Sequence, residues 1–297
     1  MSDSFTLKFI LQSAKSLHEN GFPTHRLEEK MQEFCINLDV QSEFFATPGS
    51  IFASITIQGE TRSHLIKVTD SELNLEHLDL IEKVIIQVAK NEISTEEGIR
   101  ELKKINNKIS RYSGGITALF IGVSTAAAAC VFGGQLPEIM SAFIIGLGIG
   151  SIGLILPYIP QVSKVYVLIS AIWAVIVASF FNSWFTDFQL DIATICGLIL
   201  LIPGFTFTIS ITEMVNNHLI AGISRFTTAF ITFVMLAIGI GVGKSIVLSL
   251  HLVPGNIQLS PLPFWKEWIA LIFVPLGFVV LFKAKPKDFL WILIGCW

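Results

Sequence analysis

The chain has 297 residues, of which 52% are hydrophobic and only 14% charged, against about 25% charged in an ordinary soluble domain. A net charge of -3 supplies no basic field for a nucleic-acid partner, and the four cysteines and six histidines make no metal-binding spacing, so no nucleic acid, metal or cofactor is expected. Thirteen of the 20 Lys and Arg and 17 of the 23 Asp and Glu lie in residues 1–112, a step in charge density that divides a soluble region from an apolar one.

The start, Met1 to Lys8, lacks a basic n-region followed by an unbroken apolar core, so no cleaved signal peptide is expected and the N-terminal region should stay in the cytoplasm. Leu7, Ile10, Leu11, Ala14 and Leu17 predict an amphipathic helix over about 6–20, ending at Gly21. Thr24 is expected to N-cap a second helix whose buried stripe is Leu27, Met31, Phe34 and Cys35. Alternation over Ile51, Ala53, Ile55 and Ile57, a polar turn, and Leu65 to Val68 predict a β-hairpin, with a further strand near Glu43 to Ala46. Two helices follow, one from about Asn74 to Lys90 and one opened by the capping-box pattern Ser94-Thr95-Glu96-Glu97, with Ile99, Leu102, Ile105 and Ile109 on one face. Residues 1–112 therefore read as a small α+β domain.

Five apolar runs beyond it, about 114–134, 138–157, 165–182, 191–212 and 223–249, are long enough to cross a bilayer as helices. Trp268 to Phe282 is shorter, and a last run of nine residues goes from Phe289 to Trp297. Nine residues of helix rise only about 14 Å, so the chain is expected to be part of something longer, or else to end on a short re-entrant tail. The fold class is an α-helical polytopic membrane protein with an N-terminal soluble α+β domain: 1–112 cytoplasmic, 113–255 a five-helix transmembrane domain, and 256–297 the start of a second. With residues 1–112 inside, Lys103, Lys104, Lys108, Arg111, Lys164, Arg225, Lys283, Lys285 and Lys287 all fall on the inner side, and Glu138, Asp187 and Asp191 outside with Lys266 as the exception. Cys35, Cys130, Cys196 and Cys296 are expected to be buried as small apolar side chains.

Gly148-Ile149-Gly150-Ser151-Ile152-Gly153 matches a dinucleotide-binding pattern but follows no strand, so it is rejected as such. Gly146 and Gly150 instead predict close helix contact. The segment Leu201 to Glu213 is more informative: Pro203 and Gly204 should break the helix. Broken helices at membrane depth line cavities and offer free backbone groups to small solutes. Thr206, Thr208, Ser210 and Thr212 add hydroxyls beyond the break, which either face a pathway or bond back to their own helix. Glu213, and less so Asp191, are candidate proton-coupling carboxylates, with Asn216, Asn217 and Arg225 close behind Glu213.

Several segments resemble the threonine/serine exporter family. Asn20 to Glu28 is similar to its early segment, Thr47-Pro48-Gly49-Ser50-Ile51-Phe52 to its strand-entry motif, and Tyr112 to Gly134 to its first span. Ile202-Pro203-Gly204, Glu213 and Gly222-Ile223-Ser224-Arg225 resemble its later series, which usually has Asp at the position of Glu213. The resemblance covers about residues 5–250. It implies a cell-membrane exporter of threonine and serine, or in split members a dicarboxylate such as succinate, driven by the proton gradient. Pro203, Gly204, Thr206, Thr208, Ser210, Asn216 and Asn217 then line the substrate pathway, Glu213 and Asp191 couple protons, and Arg225 is a charge partner. The implied partners are the lipid bilayer, the small polar metabolite, and a second membrane half on another chain or another copy of this one. Two other classes compete. A membrane-bound enzyme would need a compact acid, base and nucleophile, which His18, His25, Glu28 and Ser50 do not make in the sequence. In a non-transporting assembly or sensory subunit, the cytoplasmic domain would bind a regulator while a partner transports.

Overall fold

A computed structural model describes residues 2–57, 59–68, 73–108, 112–155, 159, 165–250, 257, 262–263, 265–285 and 287. Ile109, Arg111, Pro157, Pro160, Lys164, Cys296 and the run from Phe289 lie outside the described residues. The chain forms two compact units, Met1–Ser110 with Gly204–Thr228, and Arg111–Pro203 with Ala229–Trp297.

The first unit opens with α1 (Ser2–Glu19) and α2 (Thr24–Asn37). The apolar stripe predicted for α2 is the one it buries: Leu27, Met31, Phe34 and Cys35. Strands β1 (Gln41–Thr47), β2 (Ser50–Ile57) and β3 (Glu60–Lys67) form an antiparallel meander in that order. Its register places Phe44 opposite Ala53 and Ala46 opposite Ile51, and this row of side chains joins the helices in the core. Successive residues point to opposite faces, so Phe45, Phe52 and Leu65 stand on the other side and are exposed. Helix α3 (Leu75–Ala89) is N-capped by Asn74, which accepts from the His77 N–H. Helix α4 (Thr95–Asn106) is N-capped by Ser94, which accepts from Glu97 N–H as its sequence pattern requires.

The second unit contains α5 (Gly114–Val131), α6 (Leu136–Ile155), α7 (Tyr166–Asn182), α8 (Leu190–Leu198) and, later, α11 (Lys266–Leu281). Its interior is built from small residues: Ala171, Ala174 and Ala178 of α7 and Ala193 of α8 pack with Ile145 and Ile149 of α6. Small side chains let helix backbones approach closely. A Cβ on Gly150 would lie 2.5 Å from the Cα of Ala118, so α5 and α6 touch backbone to backbone as the G-x-x-x-G spacing predicts. Thr125 Oγ1 donates to the Ala142 carbonyl at 2.8 Å across the same contact.

A single 3₁₀ turn, Ile199–Leu201, extends α8, and Ile202 then takes an extended conformation with ψ 120°. Pro203 has no N–H to continue the ladder and restricts the residue before it. The helix resumes as α9 (Gly204–Val215), followed by α10 (Leu219–Ser249). By length and composition α5, α6 and α10 can each cross a membrane, and α8 with α9 makes a fourth if the broken pair is one span. The apolar helix α7 is shorter, at 17 residues.

Candidate functional site

Within the first unit, residues far apart in the sequence meet at the N-terminus of α2. Thr24 is the first residue of that helix and Pro23 stands at its N-cap, which corrects the expectation that Thr24 itself would cap. Proline has no side-chain acceptor, and the first turn, Thr24-His25-Arg26-Leu27, has no acid, so the helix start lacks a local partner for its free N–H groups. Glu213 of α9 supplies one. Its Oε1 accepts from Thr24 N–H at 3.2 Å and from the Thr24 hydroxyl at 2.6 Å, which places a negative group at the positive end of a helix.

The other carboxylate oxygen faces Arg225 of α10, with Nε 3.1 Å from Oε2. The approach is close but the N–H is not aimed: neither Glu213 Oε2 nor Arg225 Nε has an aligned hydrogen-bond partner among the described residues. The Glu213 side chain is 0% exposed and that of Arg225 16%. A buried ion pair without full hydrogen bonding recovers only part of its desolvation cost.

The local sequence explains how these groups meet. Helix α9 ends with Asn217 in the left-handed region, φ 65°, while Asn217 N–H donates to Met214 and His218 N–H to Glu213. This is the Schellman closure, in which Asn is one of the few residues tolerated at the turn. The reversal starts α10 alongside α9, and Gly222 lets the two helices close: a Cβ there would stand 2.9 Å from the Ser210 carbonyl oxygen. Arg225 follows one turn later and reaches Glu213.

Around this pair, His218 Nδ1 lies 3.6 Å from Glu28 Oε1, and the same Glu28 oxygen accepts from Ala46 N–H at 2.7 Å. The His25 and His218 rings are 6.1 Å apart. Burial pushes the Glu28 carboxyl above its ordinary value, while the Ala46 N–H and His218 pull it down. Burial also holds His18 and His25 below theirs; His18 Nε2 pairs with the Thr47 carbonyl at 2.8 Å.

The remaining residues singled out in the sequence have different surroundings. The hydroxyls of Thr208, Ser210 and Thr212 donate to the carbonyls of Gly204, Phe207 and Thr208, the back-bonded alternative, although each hydroxyl keeps lone pairs free to accept. Thr206 is half-buried, Pro203 likewise, and Gly204 exposed. Asn216 Nδ2 donates to Thr212 O at 2.8 Å. Asp191 is exposed in the first turn of α8. No local pattern in the sequence joins Thr24 to Glu213 or Glu28 to His218. The sequence signal for Thr24 and Glu28 is that the Asn20 to Glu28 segment carries the family resemblance; His218 lies outside the resembling segments.

Residues 8–247 match the family model ThrE, described as "Putative threonine/serine exporter". The chain belongs to this family. Among similar proteins are those named "Pheromone-regulated membrane protein 10" from Eremothecium gossypii, 28% identical over 92% of this chain and 37% of its own length, and from Saccharomyces cerevisiae, 28% identical over 90% and 35%. The protein of that name from Kluyveromyces lactis is 29% identical over 90% of this chain and 28% of its own length. The chain thus spans roughly a third of the length of these relatives. No solved structure gives a significant match.

Proposed function

We propose that this chain is part of a multi-pass membrane exporter of small polar metabolites, threonine and serine first, driven by the proton gradient. The observation that carries the reading is a fully buried carboxylate, Glu213, paired with Arg225 on the helix that resumes after the break at Pro203. The family description agrees with export, and the relatives are named as membrane proteins. Large apolar side chains exposed along α10, among them Phe226, Phe230, Ile231, Phe233 and Ile238, suit lipid or a second membrane half. In this reading residues 1–112 face the cytoplasm of a cell-membrane protein, 113–255 form the first membrane domain, and 256–297 begin the second.

The coupling step follows from the pair. A proton entering from outside binds Glu213 Oε2, neutralises the carboxylate and removes the charge that holds Arg225. The freed guanidinium and the polar groups after the break, Thr206, Thr208, Ser210, Asn216 and Asn217, then admit solute. Loss of the proton to the cytoplasm restores the pair. Asp191 serves as a second proton group at the other end of the broken helix.

The test is efflux of labelled threonine, serine and succinate from cells expressing the full-length protein, with and without an uncoupler. We expect gradient-dependent efflux of at least one solute and its loss in Glu213→Gln. Retention of all three solutes in every condition would sink the exporter reading and favour a non-transporting subunit, while efflux of succinate alone would move the substrate class to dicarboxylates.

A further inference from the structure

The N-terminal domain contributes groups to the candidate coupling site itself. We infer that Thr24 is a positioning residue for Glu213, and that α2 holds the second half of the broken helix through two ties, Thr24 to Glu213 and Glu28 to His218. The inference rests on the exporter reading for its consequence, but the ties are features of one compact unit, which joins Gly204–Thr228 to the N-terminal residues.

The argument starts from the helix. Residues four apart lie on one face of a helix, so Thr24 and Glu28 of α2 present side chains to the same neighbour. That neighbour is the end of α9, where the Schellman turn brings His218 back beside Glu213. Thr24 is 0% exposed and gives the carboxylate two hydrogens, one from the backbone and one from the hydroxyl. The first turn of α2 has no acid of its own and its N-cap makes no side-chain hydrogen bond. The carboxylate therefore has one oxygen fixed by α2 and one left to Arg225. Fixing Oε1 confines exchange, with a proton or with Arg225, to Oε2. A domain that moved α2 would release Oε1 and change how readily the pair opens. The ionisable groups around this pair are His18, His25, Glu28 and His218, so the tie sits in a field that acidification alters through His18, His25 and Glu28.

Thr24→Val keeps the volume and branching of the side chain and removes only the hydroxyl. In the full-length protein it should shift the ratio of efflux with and without an uncoupler about tenfold, which is about 1.4 kcal/mol, and displace the pH at which efflux is half-maximal, with Thr24→Ser restoring both. A Thr24→Val protein indistinguishable from the parent, while Glu213→Gln abolishes gradient dependence, overturns the inference and leaves the exporter reading standing. Were the parent to move none of the three solutes, the exporter reading would fail and the tie would be decided by thermal unfolding of Thr24→Val, Glu213→Gln and the double variant. Non-additive shifts then support the tie, and additive shifts overturn it.

Discussion

Glu138 and Glu213 are both buried carboxylates, 2% and 0% exposed, and they are held in different ways. Glu138 sits in the first turn of α6 and accepts from Gln135 N–H at 2.8 Å with Oε2 and from Gln189 N–H at 2.8 Å with Oε1. Those donors are the residues just before α6 and α8, so one side chain closes the starts of two helices in the second unit. Beside it, Gln135 accepts from Leu262 N–H and Lys266 donates to the Gly134 carbonyl. Backbone donors cannot leave without unwinding a helix end, so Glu138 is a fastening. Glu213 faces one backbone donor, one hydroxyl and a guanidinium on a flexible stem, and half of its acceptor capacity lacks an aligned partner. The difference teaches that burial alone does not decide how a carboxylate is held: Glu138 is locked by backbone donors, whereas Glu213 has a partner free to move away.

The largest expected effect breaks the comparison on the Glu213 side. Arg225→Met leaves the buried carboxylate with Thr24 as its remaining tie, and loss of one member of a buried pair costs about 3–5 kcal/mol. Thermal unfolding of the detergent-solubilised protein should show a large drop that Arg225→Lys partly recovers. An unchanged midpoint would mean that the ion pair contributes nothing to holding α10 against α9.

Glu138→Gln should cost less, about 1–3 kcal/mol, because the amide oxygen still accepts one N–H and leaves the other unmatched. It should lower the unfolding midpoint without altering the gradient dependence of efflux. If Glu138→Gln abolished that dependence while Glu213→Gln did not, the two carboxylates would have exchanged roles.

The smallest effect concerns pH. His18 and His25 are held below their ordinary value by burial, so the unfolded chain binds protons more readily than the folded one. Their contribution is complete above the unfolded value near 6.5 and is lost as pH falls from there through their lower folded values. Glu28, raised by burial, acts with the opposite sign: its contribution is present at low pH and lost as pH rises from about 4.5 through its folded value. Hydrogen exchange in the full chain should therefore show α1 and β1 losing protection between neutral pH and about pH 5, with His18→Gln flattening the profile.

Much of the secondary structure was legible because its cause is local. The stripe of α2 follows from a period of 3.6, the Ser94 cap of α4 from a hydroxyl three residues ahead of a glutamate, and the break before α9 from a proline without an N–H. The close α5–α6 contact was legible too, since glycine at four-residue spacing leaves a flat helix face. Phe45, Phe52 and Leu65 were harder: alternation says that one face of the meander is buried, but only the packing of the helices settles which.

The sequence by itself determined that charged residues precede apolar helices, that one helix is broken at Pro203, and that Glu213 and Arg225 stand near that break. Tertiary structure alone decided what Glu213 touches. Thr24 lies 189 residues away along the chain, and no periodicity or local motif encodes a contact at that range. It arises because an uncapped helix start and a buried carboxylate each lack a partner, and the fold supplies each with the other.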